Sequence, residues 1–261
     1  MQFRDRLAVI PPTRLFPMIF LGVLVSGSLL ELLQMCSGGR DPDPEDVLRN
    51  QLGCLTALAL CAGPGRYAIP VPWRRLLRVS VVFMLAITAW PLARSVVDEQ
   101  MAARQFPILA DFETPFERYR WDNMRRTRAE VSTVRHGQKA MRVQLSTAKY
   151  SGIALFHFPE NWQGYRTLHC SIFNPLPTVL PLSCRIHDIH HKLHDMAFTD
   201  RFNMQFKLQQ GWNDVVIDLD QVWNAPKNRL MDAQHIEGLG FFVMQMDQPL
   251  AIIIDHLFLA R

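Results

Sequence analysis

The chain has no CxxC pair among its five cysteines, no GxSxG, no GxxxxGK[ST] loop and no HExxH. These absences remove the thiol-pair signature, the serine-hydrolase elbow, the phosphate loop of nucleotide-binding proteins and the zincin metalloprotease site. Lysine and arginine form no block, and a net charge of +4 is too small for the electrostatic groove that nucleic acid requires. Carboxylates are present, but sequence alone cannot set two of them ~5 Å or more apart across a cleft, as a glycosidase needs. Enzyme activity is therefore unsupported. What remains is a contrast within the chain. Long apolar runs fill the part before Gln105, and short apolar–polar alternation fills the part after it.

The run Leu15 to Met35 carries one charge, Glu31. It matches the roughly 20 apolar residues a helix needs to cross a bilayer core. Leu76 to Ala93 is a second such segment, and Val47 to Ala62 is a shorter one with a polar start. Arg4, Arg6 and Arg14 precede the first segment, and Arg66, Arg74, Arg75 and Arg78 lie between the other two. The loop after the first segment holds Asp41, Asp43, Glu45 and Asp46 against Arg40. The positive-inside rule then places the N-terminus and the second loop in the cytoplasm, and three crossings put everything after Ala93 outside. A cleaved signal peptide fits less well, because further apolar segments follow and no small-residue cleavage site does.

The first loop gathers polar groups. Glu31 and Gln34 share one helix face, Asp46 and Asn50 share one on the next helix, and Arg40 lies between. Asp46 also reads as a helix N-cap. An ionisable residue within a membrane helix is costly unless paired, which makes Glu31 a functional candidate; a purely structural lock of the hairpin is the alternative. The stretch Ser26-Gly-Ser-Leu-Leu-Glu31-Leu-Leu-Gln34, then Gly39-Arg40-Asp41, then Asp46-Val-Leu-Arg-Asn50-Gln-Leu-Gly53 resembles the core signature of VanZ-like membrane proteins. The resemblance spans about residues 15 to 95, as in a minimal version of that family. It implies a link to the bacterial envelope.

Beyond Phe106 about ten strands are expected, among them Ala129–Val134, Ala140–Leu145, Ile153–Phe158, Thr167–Phe173, Leu182–His187, Phe202–Leu208, Val215–Leu219, Gly240–Met246 and Ala251–Leu259. Turn signals such as Asn174-Pro175 and Gln210-Gly211 separate them, and a turn of helix is expected near Asp218–Val222. The predicted architecture is an α-helical transmembrane bundle of about three helices (1–98), a linker (99–106) and an all-β jelly-roll sandwich (107–261). Cys170 and Cys184 could face each other across a hairpin as a disulfide, or stand as two free buried thiols.

Leu109-Ala-Asp111-Phe-Glu113, Trp162-Gln-Gly-Tyr165, Phe173-Asn174-Pro175, Gly211-Trp212-Asn213 and Ile252-Ile-Ile-Asp255 resemble, in order and spacing, carbohydrate-binding-module jelly rolls of the galactose-binding-like type. The resemblance implies a structural calcium held by Asp111, Glu113 and Asp255, whose hard oxygens suit that ion. It also implies sugar stacking on aromatic faces. Trp121, Trp162, Tyr165, Trp212 and Trp223 are candidates, although tryptophans in a sandwich are commonly core.

The segment from His187 to Arg201 reads as a polar loop. Asp188, His190, Asp200 and Arg201 would make a binding rim there, while a zinc held by His187 and His190 lacks the usual further ligand pair. Three functions follow as expectations. The first is a membrane-anchored envelope protein whose outer domain binds or positions a glycan. The second is an assembly subunit that contacts other membrane proteins. The third is an enzyme on a lipid-linked sugar using Glu31 and Arg40.

Overall fold

The structure, a computed structural model, describes residues 12–37, 44–61, 71–122 and 126–261. The chain divides into two compact units, 1–93 and 94–261. The first contains helices α1 (Pro12–Ser37), α2 (Pro44–Cys61) and the start of α3 (Val71–Gln105). Among the described residues two helices, α1 and α3, are long and apolar enough to cross a membrane, where three were expected. α2 is helical but polar at its start: Pro44, Glu45 and Asp46 fill its first turn, and Arg49, Asn50 and Gln51 follow. Proline suits that first position, where no N–H partner is needed. Asp46 thus lies inside the helix and not at its N-cap, and pairs with Arg49 at 2.5 Å. α1 and α2 pack against each other where Gly27 leaves room, since a Cβ there would lie 3.4 Å from Asn50 Nδ2.

The second unit is a β-sandwich. One sheet has the order β2 (Thr127–Glu130), β3 (Ala140–Leu145), β10 (Leu250–Ala260), β5 (Thr167–Asn174), β8 (Gly211–Asp218). β1 (Ile108–Ala110) adds to β10 at Leu257 and Phe258, beyond the stretch that pairs with β3. The other sheet runs β4 (Tyr150–Leu155), β9 (Ile236–Met244), β6 (Leu180–Asp188), β7 (Phe202–Leu208). Both sheets are antiparallel throughout. Alternation decides which side chains face inward. Leu182, Ile186, Leu239 and Phe241 of one sheet meet the core with Leu168, Ile172, Ile217 and Ile252 of the other, all at most 1% exposed. Each such side chain contributes about 1.5–3 kcal/mol by leaving water. The expected helical turn is α4 (Leu219–Trp223), with the Asp218 carboxylate accepting from the Asp220 N–H at 2.9 Å.

Cys170 and Cys184 are free buried thiols. They do not form a hairpin: the chain passes from one sheet to the other between β5 and β6, and neither strand pairs with its sequence neighbour across that turn.

The stretch expected as a linker is helical to Gln105. Two buried polar contacts join the end of α3 to the sandwich. Arg120 donates to both Asp98 carboxylate oxygens, at 2.9 and 2.8 Å, and to the Leu109 carbonyl at 3.1 Å. The Glu117 carboxylate accepts from the Asp111 and Phe112 backbone N–H groups, the Thr114 hydroxyl and the Gln105 amide. Burial pushes the Glu117 carboxyl above its ordinary pKa.

Candidate functional site

The outward side of the four-stranded sheet is hollowed into a cleft of about 800 Å³. That size falls in the range of sites for small ligands. Its floor is set by register. Gly152 of β4 pairs with Phe242, Ala154 with Gly240, and Gly240 in turn with Arg185 of β6. Arg185 and Ser183 lie opposite Asn203 and Gln205 of β7. Because Leu182, Cys184 and Ile186 face the core, the alternate residues Ser183 and Arg185 face out. Glycine is needed on this floor. A Cβ at Gly152 would come within 2.0 Å of the Phe241 carbonyl, and one at Gly240 within 3.0 Å of Arg185 Nε.

The walls are aromatic and basic. Tyr150 is 60% exposed and meets Phe242 edge-on, ring centroids 6.1 Å apart. Phe198, 66% exposed, lies 5.5 Å from the Arg201 guanidinium. Arg201 Nε donates to Asn203 Oδ1 at 3.0 Å. Arg126 and Asp122 also line the cleft. Burial and the neighbouring Arg185 both pull the Arg201 pKa down. An exposed aromatic edge over a shallow floor, with forked and planar polar groups beside it, can stack on a ring and hydrogen-bond hydroxyl or anionic substituents.

Compared with protein-family models and with curated protein sequences, the chain matches none. Among solved structures it is similar to a family 11 carbohydrate-binding module from Clostridium thermocellum, described in complex with a β-1,3-1,4-mixed-linked tetrasaccharide. The identity is 13% and the TM-score 0.42, covering 59% of this chain and 94% of that one. It is also similar to an exo-β-agarase, at 14% identity and TM-score 0.45, covering 58% of this chain and 24% of that one. A third is the CBM22-1–GH10 portion of xylanase 10B from Clostridium thermocellum, at 10% identity and TM-score 0.41, covering 59% and 28%.

Of the residues expected to bind ligand, Arg201 lines the cleft. Trp162 is fully buried, its indole N–H donating to the Pro159 carbonyl at 3.1 Å, so it offers no face to a sugar. Tyr165 packs edge-on against Phe106 and is partly buried against the core. Asp188 and Asp200 do not form an open rim. Both are gripped by Arg229, which donates to Asp188 Oδ1 and Oδ2 at 2.8 and 2.5 Å and to Asp200 Oδ1 and Oδ2 at 2.8 Å each. Burial pulls the Asp188 carboxyl up, but the Arg229 bonds outweigh it and its pKa is low; the Asp200 carboxyl is held low by Arg229 directly. His190 is half-exposed and stands 3.7 Å from Asp232.

His187 is buried over Gly238, and burial, with His191 and Arg185 beside it, lowers its pKa to about 4, so the ring is neutral near pH 7. His191, also buried, contacts Asp200 at 3.3 Å. Arg229 was not foreseen: it lies 41 residues from Asp188 and 29 from Asp200. The cleft residues were foreseeable in part, since a polar Ser183 and a charged Arg185 alternate with apolar residues along one strand.

The carboxylates expected to hold calcium are engaged with separate backbone amides. Asp255 Oδ2 accepts from the Arg135 and His136 N–H groups, Glu113 Oε1 from Gln138 and Lys139, and Asp111 Oδ1 from Glu113. Among the described residues no group of three or more His, Cys, Asp or Glu side chains could hold a metal ion, and Asp255 Oδ1 is buried without a hydrogen-bond partner. In the polar cluster of the helices, Glu31, Asp46 and Asn50 are described, whereas Arg40 and the Gln34 side chain lie outside the described residues.

Proposed function

We propose that this chain is a membrane-tethered binding protein whose β-sandwich takes a glycan in the cleft of the four-stranded sheet. The observation that supports it is the cleft itself: exposed Tyr150 and Phe198 with Phe242 beside a floor of Gly152, Ala154 and Gly240, and planar donors and acceptors from Arg185, Asn203, Gln205 and Arg201. Sugar rings present an apolar face for stacking and a rim of hydroxyls for such groups. The test is a glycan array probed with the full chain in a detergent that is not a glycoside. Binding of an oligosaccharide, weakened roughly tenfold (about 1.4 kcal/mol) in Tyr150→Ala or Phe242→Ala, is the expected result. A chain that binds nothing on the array ends this reading.

The tether is α1 with α3, and the charge pattern around them supports an envelope location. The side on which the sandwich lies depends on α2. Three crossings carry it opposite the N-terminus, and two bring it back to the same side. Because Arg4, Arg6 and Arg14 match Arg66 to Arg78 in sign, the reading with α2 crossing keeps both basic regions cytoplasmic and the sandwich outside. Membrane-impermeant protease added to intact spheroplasts should then digest a C-terminal tag; a tag cleaved only in inverted vesicles would put the sandwich in the cytoplasm. The VanZ-like reading of these helices rests on Glu31, Gln34, Arg40, Asp46, Asn50 and Gly53.

A second reading, the assembly subunit, is favoured by one observation. Ile189, Leu193, Met196 and Phe198 expose apolar side chains from a single short segment, as a protein-docking patch does. A stoichiometric partner recovered with the detergent-solubilised chain would support it over the glycan.

A further inference from the structure

We infer that the cleft selects an acidic glycan, its carboxylate or sulfate groups held by Arg185 and Arg201. The inference rests on the glycan reading above and adds the charge of the ligand. Elsewhere in the sandwich several arginines find acids, while Arg94 and Arg118 lie over the Tyr119 ring. Arg120 pairs with Asp98, Arg229 with Asp188 and Asp200, Arg142 with Glu130, and Arg135 with Asp214. Arg185 and Arg201 are half-buried, and among the described residues neither has a carboxylate within ion-pair distance. Both line the same cleft, and burial, with Arg185 beside it, pulls the Arg201 pKa down.

The charge around them is lopsided. Arg126, a third arginine, lines the same cleft and reaches the Ser151 hydroxyl at 3.4 Å, while Lys149 lies over the Tyr150 ring at 5.7 Å. The lining holds one acid, Asp122, whose Oδ1 accepts the Ala154 N–H at 2.6 Å, against the three arginines. Arg201 uses only Nε within the protein, on Asn203, and Phe198 flanks its guanidinium. Arg185 has its room from Gly240, where a Cβ would press on Nε. Two guanidiniums partly withdrawn from water, near each other and without acids, form an anion site. A carboxylate or sulfate offers the paired oxygens that a guanidinium fork binds. The aromatic edge beside them would take the sugar ring that carries the anion.

The experiment titrates the full chain, in an uncharged detergent that is not a glycoside, with three probes: oligogalacturonate, the same oligomer fully methyl-esterified, and a sulfated galactan oligosaccharide. The ester keeps the backbone and removes the charge. Oligogalacturonate is expected to bind at least tenfold more tightly than its ester, with the advantage shrinking as salt rises. Arg185→Gln and Arg201→Gln should each cost the acid about tenfold more affinity than they cost the ester, so that the acid's advantage over the ester collapses. Arg201→Lys, which keeps the charge but loses the fork, should fall between. Preferential binding of the sulfated probe over the neutral ester supports the inference with the sulfate ester as the source of the anion. Equal affinity for acid and ester overturns the inference and leaves the glycan reading standing. Binding of a neutral oligosaccharide on the array with none of the three probes bound does the same. Failure to bind any saccharide overturns both.

Discussion

Substituting Arg229 with methionine is expected to destabilise the sandwich by about 3–5 kcal/mol, the range for breaking a buried ion pair from one side. Asp188 is fully buried and Asp200 nearly so, and Arg229 is the cation that both share. Without it two carboxylates face each other in a partly dry site, and each must either take a proton or draw in water. The loss reaches the cleft because Asp200 stands between Phe198, which it follows by two residues, and Arg201, which it adjoins. Anchoring Asp200 therefore positions an aromatic and a basic wall of the site at once. Arg229→Met should lower both the melting temperature, followed by tryptophan fluorescence, and the affinity for the cleft's ligand. Arg229→Lys should recover only part, because an ammonium cannot reproduce the fork that serves two carboxylates.

The same pair gives the wild-type protein a sign of pH dependence. Both carboxyls are held below their ordinary pKa in the folded state, so their contribution is present above the unfolded value near 3.8 and is lost as pH falls through the folded values. Arg229→Met should flatten that acid limb. A variant that melts with the parent and keeps its acid limb would show that the Arg229 network does not hold this part of the sandwich.

The second large effect is expected at Arg120. Its guanidinium is 1% exposed and forms a two-pronged contact with Asp98 while also holding the Leu109 carbonyl. Arg120→Met leaves a buried carboxylate and a carbonyl without partners, at a cost of about 3–5 kcal/mol. Hydrogen exchange is the direct readout. Amides between Arg94 and Ala110 should exchange about a hundredfold to a few thousandfold faster, since 1.4 kcal/mol corresponds to a factor of about ten. The paired change Asp98→Leu with Arg120→Met should recover much of the protection, because an apolar pair has no charge to desolvate. If the single variant exchanges like the parent, the end of α3 is held by the Glu117 contacts and packing alone.

Much of the sandwich was legible in the sequence, for a local reason. Alternation over a few residues, closed by turn signals, is a property of one strand. β3 at Ala140–Leu145 and β7 at Phe202–Leu208 therefore have their expected bounds. β4 begins at Tyr150, three residues before its expected start, because a glycine at 152 interrupts the apolar pattern while the backbone continues pairing with β9. β1 is only three residues long, too short for periodicity to reveal. The membrane-length runs of α1 and α3 were also legible, since apolar length is read directly along the chain; α2, whose apolar stretch is shorter and starts polar, does not reach that length.

The amino-acid sequence by itself determined the division into apolar helices and alternating strands, the turns between them and the inward and outward sides of each strand. Only the tertiary structure decided which outward residues become neighbours. Register places Arg185 beside Gly240 and Asn203, strands far apart in the chain, and so makes a cleft from residues that look ordinary one at a time. It likewise withdrew Trp162 into the core and turned Asp188 and Asp200 from a rim into the two holds of Arg229. The physical reason is common to all three: burial and charge pairing are set by contacts across the sheets, and period-two alternation carries no information about which strand lies next to which.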